Sequence, residues 1–495
     1  MTISQMHVET ETDTRLTNSE LQPVPARDRK WTWYSYMALW MGMVHNIFNY
    51  EVAAGLIALG MNVWQALLTI LVADMILMIP LVLNGYVGNK YGIPFPVFAR
   101  LSFGVFGANV PALIRAFVAI GWFGVQSFLG STALNALLVF TIPAWGHLSA
   151  NFFGMPINAW ISLLLFWILQ GIVATHGMDV IRRFENWAGP AILILLLGLV
   201  IWAIGVMHGL GPIFDQHSKF HSTGSFLLAF GPAVISVIGS WATLGLNIPD
   251  FTRFSRSTRD QVIGQTIGLP ITTFVFSLMS TFVTSATIVA FGQPIWDPVQ
   301  LMEHFHNPVI LIVGAATLTA ATVSVNVASN LVSPIYDLIN VAPRKFTFKT
   351  AAWLSMAIAF FMMPWKLMQH PDSLYLLLDL AGSFLGPTTG ILIADFWLVR
   401  KGKLDVPNLY KTDGAYSYYK GFNVQAIIAL ALGMGLSFIG DAIPALSALN
   451  QYAWLVGVLS GFIFYLLLMK IWRASGPRVA DVVEESDEEV TQGQA

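Results

Sequence analysis

Trp122 and Gln126 stand four residues apart in the stretch GWFGVQ, so on a helix they share one face. A carboxamide facing lipid would lose its water partners. Beside an indole one turn away it suits the polar edge of a flat ring instead. Five further residues have the same character. Ser240 and Trp241 follow Gly239 in GSWATLGLNIPDF, and Asn326 and Asn330 are four apart in ATVSVNVASNLVSP. Asn46 lies in WMGMVHNIFNYEVAAG. Two indoles can sandwich a ring, and carboxamides offer donor and acceptor to ring C=O and N–H groups. No buried Lys or Arg is placed for a carboxylate or phosphate, Arg115 lying too near the end of its apolar segment. The chemistry expected is recognition of a neutral, amide-rich heterocycle. A second class is ionisable: His45, Glu51, Asp74, Asp379 and Asp395 fall inside apolar segments, where such groups are candidates for ion or proton coupling. His45 and Glu51 are favoured, because they flank a weak point of the first segment; Asp395, near Arg400, is read as structural.

The elements that must hold these groups follow from composition. The 495 residues are 56% hydrophobic and 11% charged, against about 25% charged in soluble domains. The chain is expected to be an all-α polytopic membrane protein, surrounded by membrane lipid. It has no cysteine, which excludes disulfides, thiolate metal sites and cysteine nucleophiles. A net charge of −2 gives no sign of a nucleic-acid partner. About 20 apolar residues cross the hydrocarbon as a helix. Twelve spans are expected, near 34–60, 62–86, 106–140, 157–176, 185–208, 225–249, 262–291, 307–340, 349–367, 373–399, 422–443 and 451–472. With the N-terminus inside, every Lys and Arg except Lys219, Lys366 and Arg115 falls on the cytoplasmic side, as the positive-inside rule requires. This predicts a multi-pass plasma (inner) membrane protein with both termini cytoplasmic. The expected organisation is a disordered tail over 1–30, a ten-helix core over 31–400, a cytoplasmic loop over 401–421, two accessory helices over 422–475 and an acidic disordered tail over 476–495.

Two spans carry helix-weakening residues. Span one has His45, Asn46, Asn49 and Glu51 at mid-membrane; span six has Gly239, Ser240, Gly245 and Pro249. Interrupted backbone is tolerated at that depth only where protein or a cavity surrounds it. The two lie five spans apart, so two five-helix units would enter the membrane from opposite sides. An inverted repeat with a broken first helix in each half points to a transport site at the midplane.

GWFGVQ, GSWATLGLNIPDFTRFSRS, VNVASNLVSP, NGYVGNKYGIPFPVFARLSFG and LDLAGSFLGPTTGILIADF together resemble the nucleobase:cation symporter-1 family over roughly residues 30–470, with bacterial hydantoin, allantoin and uracil permeases the nearest in kind. The resemblance implies a LeuT-like 5+5 inverted repeat plus two C-terminal helices, with spans one, two, six and seven as a bundle and three, four, eight and nine as a scaffold. Spans five and ten would be thin gates, with Gly382, Gly386 and Pro387 as hinge residues. It implies a symporter that imports a hydantoin, allantoin or uracil ring and no enzyme activity. By motif position, Trp122, Gln126, Trp241 and Asn330 would hold the ring, with Asn46, Ser240 and Asn326 beside it. Sodium, where it is the coupling ion, would take the carbonyls of Gly42, His45 and Ala321 and the hydroxyl of Ser324. Val325 stands where a second hydroxyl belongs, so the sodium site is weakened and a proton becomes the alternative, with His45 or Glu51 as carrier. No other cofactor is implied. Other cargoes within the family are cytosine, purines or a thiamine precursor. The rival from another class is an intramembrane enzyme, since IYDL at 335–338 resembles half of an aspartyl-protease pair. The second half fails at SFIGDA, where Phe438 occupies the glycine position, and neither HExxH nor GxSxG occurs.

Overall fold

The computed structural model describes residues 13–305, 307–369 and 371–472, excepting the side chains of 371–379 and of several positions between 179 and 189. Nine of its helices are long and apolar enough to cross a membrane, and three shorter apolar helices complete the expected set among the described residues. The first span is two half-helices, α1a (Trp33–Val44) and α1b (Ile47–Ala58). Then come α2 (Val63–Tyr91), α3 (Asn109–Thr141), α4 (Ile157–Ala174), α5 (Met178–Met207) and α6 (Thr223–Asn247). The second half holds α7 (Thr258–Phe291), α8 (Pro308–Val341), α9 (Phe348–Phe361) and α10 (Pro371–Ile393, continued as a π-turn to Val399). Helices α11 (Val424–Ser437) and α12 (Ala453–Ile471) follow.

Local chemistry sets several of these ends. Asn62 and Gln65 form a reciprocal capping box at the start of α2, as do Thr347 and Thr350 at α9. Gly92 ends α2 in the left-handed region at φ +76°, which glycine adopts without a Cβ penalty. Within α7 and α8 the helix widens into π-turns at Ile267–Ile271 and Val327–Leu331. Such bulges recur at functional positions.

The break expected in span one is present. His45 (φ −80°, ψ 74°) and Asn46 (φ −134°, ψ 169°) leave the helical region between α1a and α1b. The break expected at Gly239–Ser240 is not. Helix α6 runs unbroken through both residues, and the Ser240 hydroxyl donates back to the Val237 carbonyl at 2.7 Å. Glycine and serine weaken a helix by exposing or competing for its backbone groups; here that competition is met inside the same turn. The helix ends at Asn247, two residues before Pro249, which starts a new short turn, Pro249–Thr252.

Of the tail over 1–30 expected to be disordered, residues 13–30 are instead a packed strap. Leu16 and Leu21 are fully buried. The fully buried Arg100, on the helix Phe95–Phe103, donates to the carbonyls of Leu16 (2.6 Å) and Leu409 (3.0 Å) and to Asn340 Oδ1 on α8 (2.6 Å). The strap, the 401–421 loop and the core thus share one buried cation. Gly382, Gly386 and Pro387 are also placed differently from a hinge. Helix α10 is continuous across them, and a Cβ on Gly386 would stand 2.6 Å from the Trp454 carbonyl of α12. Pro387 lies against Gly457 of the same helix. The small residues serve close helix–helix contact.

Candidate functional site

The break in α1 is held by two amides. Asn46 accepts the Asn49 N–H through Oδ1 (2.9 Å) and donates to the Met43 carbonyl through Nδ2 (2.9 Å). Asn49 donates to the Val44 carbonyl at 2.9 Å. Both side chains therefore replace helical bonds lost at the interruption, and both line a small cavity. Opposite them are Trp122 and Gln126 from α3, Ser240, Trp241, Thr243 and Leu244 from α6, and Val325, Ser329 and Asn330 from α8. The cavity measures about 30 Å³, room for one or two waters. A heterocycle fits only when these walls separate.

Sequence reasoning placed six of these side chains together: Asn46, Trp122, Gln126, Ser240, Trp241 and Asn330 all face the cavity. Its lining has no charged group. Trp122 is braced edge-on by Phe48 (5.4 Å, 73°) and Trp241 by Trp40 (5.7 Å, 71°). Three polar atoms around the cavity have no protein partner: Trp122 Nε1, Gln126 Oε1 and Ser329 Oγ. An indole N–H is a donor, an amide oxygen an acceptor and a hydroxyl either. The set is complementary to a ring that alternates C=O and N–H.

Asn326 is corrected from lining residue to support. It lies behind the cavity wall, its Nδ2 shared among Gln170 Oε1 (2.7 Å), Ser127 Oγ (2.9 Å) and the Phe123 carbonyl (3.0 Å). Its Oδ1 accepts from Asn330 Nδ2 at 2.9 Å. This network ties α8 to α3 and α4 and holds the Asn330 amide through its Nδ2. Sequence reasoning missed Ser329, Thr243, Leu244, Phe48 and Asn49 as lining. Ser329 lies one helical turn from Val325 and shares its face; the π-turn adds a residue to the register and brings Asn330 to the same side. Asn49 had a usable signal: it stands three residues after Asn46, on the same face.

Residues 23–457 match the family described as permeases for cytosine/purines, uracil, thiamine and allantoin. The chain belongs to that family. It is 45% identical to an allantoin permease of Bacillus subtilis (strain 168), over 92% of this chain and 94% of that one. A hydantoin permease of Microbacterium maritypicum is 28% identical over 86% of this chain and 84% of its own. Among solved structures, the nucleobase-cation-symport-1 transporter MHP1, in a closed conformation with bromovinylhydantoin bound, superposes with a TM-score of 0.74 at 25% identity, covering 92% of this chain and 95% of that one. The permease fold is thus the LeuT-like one.

The expected coupling residues of this permease are distributed differently. His45 packs its ring against Phe276 of α7 (4.7 Å) and is not among the cavity-lining residues. Glu51 lies on the exposed side of α1b and lines a separate outer cavity of about 520 Å³ with Asp297 and Glu303. Ala321 and Ser324 are buried on α8, and the Ser324 hydroxyl has no protein partner. Near Gly42 the helical ladder is skipped, because the Asn46 N–H goes to the Val44 carbonyl. The Val325 side chain faces the ring cavity. Asp395 is structural, accepting from Ser102 (2.8 Å) and pairing with Arg400 (3.3 Å). Asp379 lies outside the described side chains. Asp337, the aspartate of IYDL, is spent on a fully buried ion pair with Arg115 (3.0 Å). Asp441 of SFIGDA is bonded to Asn450 (2.5 Å) on an exposed turn.

Proposed function

We propose that this chain is a cation-coupled importer of a neutral ureide or nucleobase ring, with allantoin the favoured cargo. It would sit in the plasma (inner) membrane with the strap side cytoplasmic. The observation that carries the reading is the uncharged cavity at the α1 break, with an indole N–H, an amide oxygen and a hydroxyl left unpaired around it. The ring stacks between Trp122 and Trp241. Gln126 accepts a ring N–H, Ser329 and Asn330 meet the opposite edge, and Asn46 and Ser240 close the remaining sides. Asn326 holds Asn330 in place. The similarity to an allantoin permease favours that ureide over hydantoin, uracil, cytosine, purines or a thiamine precursor. The charge bias of the loops supports the orientation.

The test is radiolabelled uptake by the purified protein in liposomes, with allantoin competed by hydantoin, uracil, cytosine and purines. Allantoin should compete best. In the same assay Gln126→Leu strands a ring N–H, which costs about 1–3 kcal/mol, roughly tenfold to a hundredfold in affinity. Unchanged affinity in that variant, with protein still folded, would remove Gln126 from the site. Efflux of preloaded label through an open pore, with no saturation or counterflow, would replace the carrier by a channel.

A further inference from the structure

One buried acid has no role in the reading above. Asp74 sits at the middle of α2, 1% exposed, and neither carboxylate oxygen has a hydrogen-bond partner. Thr273 of α7 stands beside it, but that hydroxyl is donated to the Leu269 carbonyl at 2.7 Å. A charged carboxylate without donors is far more costly at membrane depth than its acid. We propose that Asp74 is the proton-binding site that couples the permease to a pH gradient, reached from the outer cavity along a face of hydroxyls on α7. The proposal rests on the reading of the protein as a cation-coupled carrier.

The route is the second observation. Thr273, Ser277, Ser280, Thr284 and Thr287 follow at spacings of four and three, on one side of α7, and all are buried. The Ser277 hydroxyl, one turn from Thr273, is unpartnered. At the far end Thr284 donates to the Ile295 carbonyl (3.3 Å) and Thr287 to the Gln293 carbonyl (3.0 Å). Two residues on, Asp297 lines the acidic outer cavity with Glu51 and Glu303. From Thr273 to Thr284 the helix rises about 16 Å. Side chains one turn apart stand about 5–6 Å from one another, a separation that a single water entering between them bridges.

The charged and titratable groups on elements packed against α2 are placed elsewhere. Helix α6 has none. On α1b are Tyr50, whose ring meets Phe276, and Glu51 in the outer cavity. At the start of α7 are Arg259 and Asp260, the latter accepting the Trp33 N–H (3.0 Å) and the Ser257 hydroxyl (2.6 Å). Asp250 accepts the Phe95 N–H (2.8 Å), and Arg100 is bound to the strap. On α10, Asp395 pairs with Arg400, and Asp372, Tyr375 and Asp379 lie outside the described side chains. No described ion pair involves Asp74.

Coupling to the cargo runs through α6. Asn84 of α2 donates to the Gly245 carbonyl at 2.7 Å, and Leu77 and Pro80 border Gly245, one turn from Trp241. Asp74 lies one turn from Leu77. A proton taken from water outside forms one O–H bond on Asp74 and leaves to water inside, so the carboxylate is restored each cycle. Loss of that proton charges a dry helix interface, which then parts or hydrates.

Two measurements test this. In liposomes, Asp74→Asn, which mimics the acid in shape, should keep allantoin counterflow and lose accumulation driven by an inside-alkaline gradient. Asp74→Glu should keep some of it. Accumulation of Asp74→Asn equal to wild type, or a wild type driven by sodium and indifferent to pH, overturns the proposal. Infrared difference spectra need no cargo: wild type should show the C=O stretch of a protonated, dry carboxylic acid that Asp74→Asn lacks. Its absence from wild type overturns the site. Absence of allantoin, hydantoin or uracil counterflow with the band present instead sinks the transport reading.

Discussion

Asn326 does not touch the cavity, yet Asn330, which does, depends on it. Its Nδ2 satisfies Gln170 and the Phe123 carbonyl, and its Oδ1 orients Asn330. Asn326→Ala leaves the buried Gln170 Oε1 unpaired, at about 1–3 kcal/mol, and frees the Asn330 amide to turn. The expected result is a lower unfolding temperature in detergent together with weaker allantoin binding. Ser329→Ala should weaken binding alone, because its hydroxyl is unpartnered. Val325 makes the opposite kind of prediction. The Ser324 hydroxyl is open, but the neighbouring side chain ends in methyl groups. Sodium should stimulate uptake weakly or not at all at fixed pH, and Val325→Thr should raise that stimulation. Strong sodium dependence of the wild type would show that other oxygens complete the shell.

At the scale of elements, the small residues of α10 and α12 give a clear expectation. A Cβ on Gly386 meets the Trp454 carbonyl, a backbone atom that cannot step aside. Gly386→Val should destabilise the protein by about 1–3 kcal/mol through overpacking, whereas Gly198→Ala, with nothing within 4 Å, should be neutral or slightly stabilising. Thermal unfolding of the two variants checks the contrast; equal effects would return Gly386 to the hinge reading. Here the reach of sequence is also visible. All twelve spans were legible, because hydrocarbon admits little but apolar helices of a set length. The α1 break was legible because four polar groups in one turn need partners that an unbroken helix does not supply. The α6 break was misread, since Ser240 meets its own backbone and Gly245 is covered by α2. The α7 and α8 π-turns were invisible, since one extra residue in a turn leaves no compositional mark. Helix α6 is fastened to α8 near its end by Asn247 with Ser333 and, just beyond, by Arg253 with Tyr336 (2.9 Å). These bonds join the bundle to the scaffold on the strap side of the cavity, so passage of the ring to that side requires their release.

The whole molecule is tied on the same side by the strap. Trp31 N–H donates to the Phe254 carbonyl (2.9 Å), Arg253 to the Glu20 carbonyl (2.8 Å) and Arg29 to the Asn89 carbonyl (2.6 Å). Residues 13–31 therefore touch α2, the turn after α6 and, through Arg100, α8. An element bonded to both moving bodies cannot keep all its contacts when they part. Its peptide bonds are then a clock for the transport cycle. Trypsin cuts only where the chain has locally unfolded, and Arg29 is bonded while Arg27 points outward. Limited digestion at Arg27 and Arg29 should be slow in the closed state and several-fold faster when cargo and a proton gradient keep the carrier turning over. The same rate should fall when an inhibitor locks the cavity shut. Gel bands at the N-terminal cut would then count openings of the gate on the strap side, with no label attached to the protein.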